Sequence, residues 1–126
     1  METIVQVTAA IIVSDGSILI AQRHPRDRLS GLWEFPGGKI EAGETPQQCL
    51  KRELWEELEM EAVIGHYLGT SIYHYDHISI ELMAYRAYWN GVSFRLMSHQ
   101  SCRWVRPDQL ADFSFSPADL PFVQRL

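Results

Sequence analysis

The stretch from Gly38 to Met60 constrains this chain more than any other part of the sequence. Within it, Glu53, Glu56 and Glu57 follow one another at positions i, i+3 and i+4, a spacing that places three carboxylates on one face of a helix. Like charges at this spacing repel one another and would weaken a bare helix. Carboxylate oxygens are also the ligands that Mg²⁺ takes, so the pattern fits a metal-binding face as well as a solvated acidic surface.

The same stretch predicts where the helix begins and which face it buries. Thr45 is the predicted N-cap, Pro46 is the first helical residue, and Gln48 completes a capping box with Thr45. Arg52 precedes Glu56 by four residues and can pair with it. An apolar stripe lies beside the acidic one: Leu50, Leu54 and Leu58. We therefore expect one helix face to pack on a core and the neighbouring acidic face to look into a cleft.

The whole stretch resembles the Nudix box, the signature of the Nudix hydrolases. That box has a glycine, five residues, a glutamate, seven residues, and then Arg-Glu-aliphatic-any-Glu-Glu-any-Gly-aliphatic. The matching positions are Gly38, Glu44, Arg52, Glu53, Leu54, Glu56, Glu57 and Met60. Glu59 stands where the family has the second glycine. Because a glycine there would end the helix in a left-handed turn, we expect Glu59 to cost about 1 kcal/mol or to change the helix exit.

The resemblance implies a fold and a metal site. The implied fold is α+β, a Nudix fold with a central mixed β-sheet in an α/β/α sandwich, and residues 1–126 would form a single Nudix hydrolase domain. The cofactor would be Mg²⁺, with Mn²⁺ as an alternative. The metal ligands would be Glu53, Glu56, Glu57 and the carbonyl of Gly37. Arg52 would orient the glutamates and Glu44 would support the metal-bound waters, which completes the implied catalytic set.

Residues outside the helix are candidates for substrate binding. Arg23 ends a predicted strand and is either a surface charge or a contact to phosphate or sugar. The turn at Gly37 and Gly38 lets the backbone approach a ligand closely. Lys39 is a candidate phosphate contact or simply an exposed lysine. The LWEFPGGK run that begins at residue 32 resembles the MutT branch of the family, which would place Phe35 beside a base pocket; a core aromatic is the alternative.

The tail resembles that of MutT-like enzymes, in which an Asn or Asp after Pro-Ala reads the nucleobase edge. That residue is Asp119, which also suits a helix N-cap before Pro121. Many MutT-like enzymes carry a glutamate in the loop that corresponds to residues 97–103. This loop contains no acidic residue, and His99 could act there as a base or ligand. The general base is therefore left open, with Glu53 one candidate.

The remaining chain reads as strands and turns. We predict strands over Ile4 to Val13, Ile18 to Arg23, Ala62 to Tyr75 and Ile78 to Trp89. Ile78, Ile80 and Leu82 alternate with Ser79 and Glu81, which predicts one solvent-facing side for that strand. Asn90-Gly91 predicts a type I′ turn, followed by a strand over Val92 to Leu96. The turn before Ile78 is predicted near Asp76-His77.

Charge and cysteine content limit the classes of partner. The net charge is −5 and the isoelectric point is about 5.4, which argues against binding a nucleic-acid polymer. Two cysteines without a pairing motif, no recognisable signal peptide and no apolar run of membrane-spanning length predict a cytoplasmic protein without membrane contact. We expect a monomer or a homodimer that binds a small nucleotide.

The predicted reaction is hydrolysis of a nucleoside triphosphate to a monophosphate and pyrophosphate. An oxidised purine such as 8-oxo-dGTP is the first candidate substrate, and CTP or a modified pyrimidine triphosphate is the second. A nucleotide-binding Nudix module without activity is the alternative from a different class. The complete set of three glutamates argues against that alternative.

Overall fold

The computed structural model describes residues 3–27, 29–76 and 78–126. In chain order, the elements are β1 (Thr3–Ser14), β2 (Ser17–Gln22), β3 (Trp33–Glu34), α1 (Pro46–Leu58), β4 (Ala62–His74), β5 (Ile78–Trp89), β6 (Ser101–Val105), a 3₁₀ helix (Pro107–Asp112) and α2 (Leu120–Val123). None of the described helices is both long enough and apolar enough to span a bilayer.

The described strands form a mixed sheet in the order β3-β2-β1-β5-β4, and β6 pairs with β2. β1 and β5 run parallel from Thr3↔Ile78 to Ile12↔Ala87, and the other pairs are antiparallel. β1 pairs with β2 only beside the connecting turn. The rest of that edge of β1 bonds to residues 36–40, because the N–H groups of Ala10 and Thr8 donate to the carbonyls of Pro36 and Gly38 at 2.7 and 2.8 Å. The glycine turn is therefore fixed to the centre of the sheet.

Alternation along β1 produces a core on each side of the sheet. Ala10 and Ile12 pack with the leucines of α1, whereas Ala9 and Ile11 pack with the C-terminal segments. On that second side the contacts include Leu110 of the 3₁₀ helix, Phe115, and Phe122 of α2. Helices on both faces of a mixed sheet confirm the predicted α+β sandwich.

Helix α1 follows its sequence signals. The N–H of Gln48 donates to Thr45 Oγ1 at 3.1 Å, and the N–H of Thr45 donates to Gln48 Oε1 at 2.9 Å, which is the predicted capping box. Leu50, Leu54 and Leu58 are fully buried. Glu59 ends the helix in the left-handed region at φ 49°, and its N–H donates to the carbonyl of Trp55 at 2.8 Å. The glutamate thus adopts the conformation that the family's glycine would supply without strain.

Two local predictions are wrong. Residues 92–96 do not form a strand. The N–H groups of Arg95 and Met97 instead donate to the carbonyls of Leu58 and Glu57, both at 2.9 Å, so this segment covers the C-terminal end of α1. Gly91 has a positive φ but Asn90 does not, so the turn is not type I′.

The predicted solvent-facing side of β5 is also wrong at Ser79, which is 1% exposed. Ser79 is paired with His74 of the neighbouring strand β4. The Ser79 hydroxyl forms a 2.6 Å hydrogen bond with His74 Nδ1, which satisfies the buried polar group. One residue of the turn before β5, His77, lies outside the described residues.

Candidate active site

Two glycines let the backbone, β1 and α1 meet at one point. A Cβ atom at Gly37 would lie 2.0 Å from the carbonyl oxygen of Thr8, and one at Gly38 would lie 2.4 Å from Cδ of Glu53. The N–H of Gly37 donates to Glu57 Oε2 at 3.2 Å. The glycine turn therefore lies directly against the acidic face of the helix, as the close approach predicted for it requires.

Arg52 ties the acidic residues together. Its Nε and Nη2 atoms donate to the two oxygens of Glu44 at 2.7 and 2.9 Å. Its Nη1 atom donates to Glu53 at 2.8 Å and to Glu56 at 3.1 Å, and its Nη2 atom also donates to the carbonyl of Lys39. The hydrogen bonds from Arg52 lower the pKa of Glu44 to about 2. The hydrogen bonds to Glu44 and Glu53, with the charges of the nearby carboxylates, raise the pKa of Arg52. The structure thus brings Arg52 and Glu44 together with the helix glutamates.

The three helix glutamates differ in their surroundings. The side chain of Glu56 is 54% exposed, whereas that of Glu53 is 16% exposed. Burial, then the neighbouring Glu34 and Glu53 carboxylates, raise the pKa of Glu57 to about 9. Burial also raises the pKa of Glu53, although Arg52 opposes this. Because burial disfavours the ionised form of both Glu53 and Glu57, a cation bound between their carboxylates would be stabilised.

This donor set suits a hard divalent cation, because it consists of carboxylate oxygens beside the backbone of Gly37. Within the described part of the chain, however, no group of three or more His, Cys, Asp and Glu side chains is arranged to hold a metal ion. The guanidinium of Arg52 bridges Glu53 and Glu56 instead. The residues fit a cation in their chemistry, and ligation by all three glutamates requires the side chains of Glu53 and Glu56 to turn from Arg52.

A cavity of about 410 Å³ opens beside these groups. Its polar lining includes Glu53, Glu57, Lys39, Arg23, Glu34, Asp119, Tyr75 and Ser116, with the backbone of Gly37 and Gly38. Its apolar lining includes Phe35, Ile78, Ile80, Leu82 and Ala118. A lining that combines charged and apolar side chains suits a ligand that has a charged chain and a flat ring.

The guanidinium of Arg23 is paired with a carboxylate of the cavity wall. Its Nη1 atom donates to Glu34 Oε1 at 2.9 Å, and the other oxygen of Glu34, Oε2, lies 2.9 Å from His99 Nε2. The His99 side chain is 5% exposed. The structure therefore places the predicted Arg23 in the cavity wall, and it ties His99 to Glu34 rather than to the helix glutamates.

Asp119 also lines the cavity and is 6% exposed. Its Oδ1 atom accepts a hydrogen bond from the N–H of Phe35 at 3.1 Å. Burial, then Glu34, raise the pKa of Asp119 well above its usual value, against the effect of the Phe35 N–H. Asp119 occupies the N-cap position of α2, but its side chain makes no cap hydrogen bond. Phe35 is 3% exposed, and the centroid of its ring lies 5.4 Å from that of Phe115. It is therefore a core aromatic that also lines the cavity.

Sequence reasoning missed Glu34. It accepts hydrogen bonds on both oxygens and faces the cavity, whereas its neighbours Trp33 and Phe35 are buried in the core. The signal was present, since the alternation of a strand places Glu34 on the side opposite to the two aromatics, next to the glycine turn. Its partner His99 is distant in sequence, so that contact could not be read from the sequence.

Comparison with known proteins agrees with this arrangement. A family model described as NUDIX domain matches residues 7–125. The chain is 38% identical to the CTP pyrophosphohydrolase of Escherichia coli (strain K12) over 95% of this chain and 89% of that protein. It is 37% identical to the putative 8-oxo-dGTP diphosphatase 2 of Mycobacterium tuberculosis (strain CDC 1551 / Oshkosh) over 95% of this chain and 86% of that protein.

A solved structure shares both the fold and part of the sequence. The solution structure of the E. coli ORF135 protein superimposes with a TM-score of 0.84 at 36% identity, covering 98% of this chain and 88% of that one. The family match covers almost the whole chain, and it includes the glycine turn, the acidic helix and the cavity between them. The chain belongs to the Nudix family and is a Nudix hydrolase of the MutT-like branch.

Proposed function

We propose that this protein is a Mg²⁺-dependent nucleoside triphosphate pyrophosphohydrolase that releases a nucleoside monophosphate and pyrophosphate. The observation that carries the proposal is that one cavity is lined both by Glu53, Glu57 and the glycine turn and by apolar side chains beside the buried Asp119. A phosphate chain requires positive charge at one end, and a base requires an apolar slot with a few polar groups at the other.

Glu53, Glu56 and Glu57, with the carbonyl of Gly37, are the proposed ligands of Mg²⁺ or Mn²⁺. When bound, such a cation supplies positive charge that neutralises the phosphate oxygens and acidifies water. Glu57 is already fixed by the Gly37 N–H, which limits its movement. Because burial raises its pKa, Glu53 remains a candidate general base.

The other polar residues around the acidic face of α1 have positioning roles in this proposal. Arg52 and Glu44 form a two-bond ion pair that holds the arginine beside the acidic face. Arg23 and Lys39 line the cavity and would contact phosphate oxygens. The backbone of Gly38 would lie against the substrate, since Gly38 lines the cavity and its bare Cα lets the Glu53 carboxylate approach the same turn.

Phe35 and Asp119, which both line the cavity, would hold the base. Phe35 supplies an aromatic surface, and Asp119 supplies a buried carboxyl group beside it. When ionised, that carboxyl accepts hydrogen bonds from the N–H groups of a guanine edge or from the exocyclic amine of cytosine. The first proposed substrate is an oxidised purine triphosphate such as 8-oxo-dGTP, in a role of nucleotide-pool sanitisation.

CTP or a modified pyrimidine triphosphate is the second proposed substrate. The relative named CTP pyrophosphohydrolase favours it, because its 38% identity is as high as that of the relatives named 8-oxo-dGTP diphosphatase over most of the chain. Asp119 suits both bases, so the two proposals share one pocket.

A screen of pyrophosphate release distinguishes these substrates. Purified protein with MgCl₂ is offered the natural, 8-oxo and 5-substituted nucleoside triphosphates, and kcat/KM is compared. Dominance of 8-oxo-dGTP supports the first substrate and dominance of CTP or its analogues supports the second. Absence of turnover with every triphosphate would contradict the proposed function.

The wider proposals concern the chain as a whole. We propose that residues 1–126 act as one catalytic domain in the cytoplasm, as a monomer or homodimer, without a nucleic-acid polymer or membrane as partner. Cys49 and Cys102 are both unpaired, which agrees with a reducing compartment. Gel filtration with light scattering tests the oligomeric state.

A further inference from the structure

The loop that follows residue 97 is attached to the cavity wall through a buried histidine. The side chain of His99 is 5% exposed, and its Nε2 atom lies 2.9 Å from Glu34 Oε2. Its other ring nitrogen, Nδ1, is buried without a hydrogen-bond partner among the described residues. His99 lies behind Glu34, which itself faces the cavity.

These contacts define one tautomer. A proton on Nε2 can be donated to the carboxylate of Glu34, and it leaves Nδ1 as an acceptor. A proton on Nδ1 would instead be a buried donor without a partner, which costs more free energy. His99 is thus placed as a donor whose one directed hydrogen bond fixes Glu34.

Glu34 passes this constraint to Arg23. Its Oε1 atom accepts from Arg23 Nη1 at 2.9 Å while Oε2 is held by His99, so the carboxylate cannot rotate without losing a bond. The loop itself is fixed, because the backbone N–H of Gln100 donates to the carbonyl of Gln22 at 3.1 Å and its Nε2 atom donates to the carbonyl of Arg23 at 2.8 Å. The three side chains His99, Glu34 and Arg23 form a continuous chain of contacts, hereafter the His99 relay, that ends in the cavity wall.

We propose that His99 is a positioning residue that, through Glu34, orients the guanidinium of Arg23 toward the phosphate groups of the substrate. This inference rests on the proposed function, because it assigns a role in binding the same triphosphate. A guanidinium binds phosphate best when its plane is fixed, since a mobile side chain loses conformational entropy on binding. Removal of His99 would leave Arg23 present but less well oriented.

The test is a double-mutant cycle on ligand binding. The probes are the α,β-methylene analogues of dGTP and dCTP, and their dissociation constants are measured by calorimetry. We expect His99→Ala to weaken binding of the better analogue about tenfold, the usual size of a lost hydrogen bond to a charged group. In an Arg23→Gln background, the same change should weaken binding by less than about twofold, because the residue that His99 orients is absent.

Two further variants separate positioning from structural support. His99→Gln can still donate a hydrogen bond to Glu34, so it should bind within about threefold of the wild type. His66→Ala, at an exposed histidine of β4, is the matched control and should change nothing. Circular dichroism and thermal unfolding show whether each variant is folded.

The outcomes separate this inference from the proposed function. Equal losses from His99→Ala in both backgrounds would overturn the relay and leave a structural role for His99. A folded His99→Gln variant that binds as weakly as His99→Ala would also overturn it. If the wild type binds neither analogue, the proposed function fails and the inference fails with it.

Discussion

The raised pKa of Glu57 predicts that this carboxylate destabilises the metal-free protein. Its folded-state pKa of about 9 lies above the usual value of 4.5, so the folded state binds the proton more tightly than the unfolded state does. Stability is therefore unaffected below pH 4.5 and falls as the pH rises from 4.5 to 9. At pH 7 the cost is about 3 to 4 kcal/mol, from about 1.4 kcal/mol for each of the 2.5 pH units above 4.5.

Glu57→Gln removes this cost and keeps an oxygen that can accept the Gly37 N–H. In chelator, we expect the variant to be more stable than the wild type by about 3 to 4 kcal/mol at pH 7, with the difference vanishing near the unfolded-state pKa. Added Mg²⁺ should stabilise the wild type more than the variant. Urea unfolding between pH 4.5 and 8, with and without Mg²⁺, measures both effects.

Glu56→Gln is the matched control, because Glu56 lies on the same helix but is 54% exposed. We expect it to change the free energy of unfolding by no more than about 0.5 kcal/mol at any of these pH values. A wild-type stability that does not fall relative to Glu57→Gln between pH 5 and 8 would refute the reasoning.

Three other predictions follow from the same contacts. Gly38→Ala would bring Cβ within 2.4 Å of Glu53 Cδ, so the carboxylate must move; we expect pyrophosphate release to fall at least about tenfold while circular dichroism shows a folded protein. Asp119→Asn keeps an acceptor for the Phe35 N–H but adds a donor, so the ratio of kcat/KM for 8-oxo-dGTP and CTP should shift about tenfold, and an unchanged ratio would remove Asp119 from base recognition. Glu59→Gly relieves the left-handed glutamate and should raise the free energy of unfolding by about 1 kcal/mol in urea, whereas a loss of stability would show that Glu59 is not strained.

Local rules predicted the parts of the fold that depend on near neighbours. The capping box at Thr45, the leucine stripe of α1 and the strands over residues 3–14 and 78–89 all follow from spacing in one segment. At Glu59 the sequence left open whether the helix exit would change, and the structure has the left-handed exit. The pair of Arg52 and Glu56 follows from its i, i+4 spacing, whereas the places of Glu44 and Glu53 beside Arg52 were implied only by the resemblance to the Nudix box.

Apart from the turn at Asn90-Gly91, the failures involve partners outside the segment on which the prediction rested. Ser79 is buried and bonded to His74 of β4, and no pattern within β5 reveals that partner. Residues 92–96 bond to the end of α1 instead of extending the sheet. The contact between Glu34 and His99 joins residues 65 positions apart. Such contacts are set by the packing of the whole chain, so a local pattern carries no signal of them.

The most direct test of the central claim is pyrophosphate release by wild type and Glu57→Gln, each measured in MgCl₂ and in EDTA with 8-oxo-dGTP and CTP as substrates. We expect turnover of at least one triphosphate by the wild type in MgCl₂, none in EDTA, and a loss of at least about a hundredfold in kcat for Glu57→Gln. Turnover that persists in EDTA, or a nearly normal rate for Glu57→Gln, would contradict a metal-dependent site built on this helix.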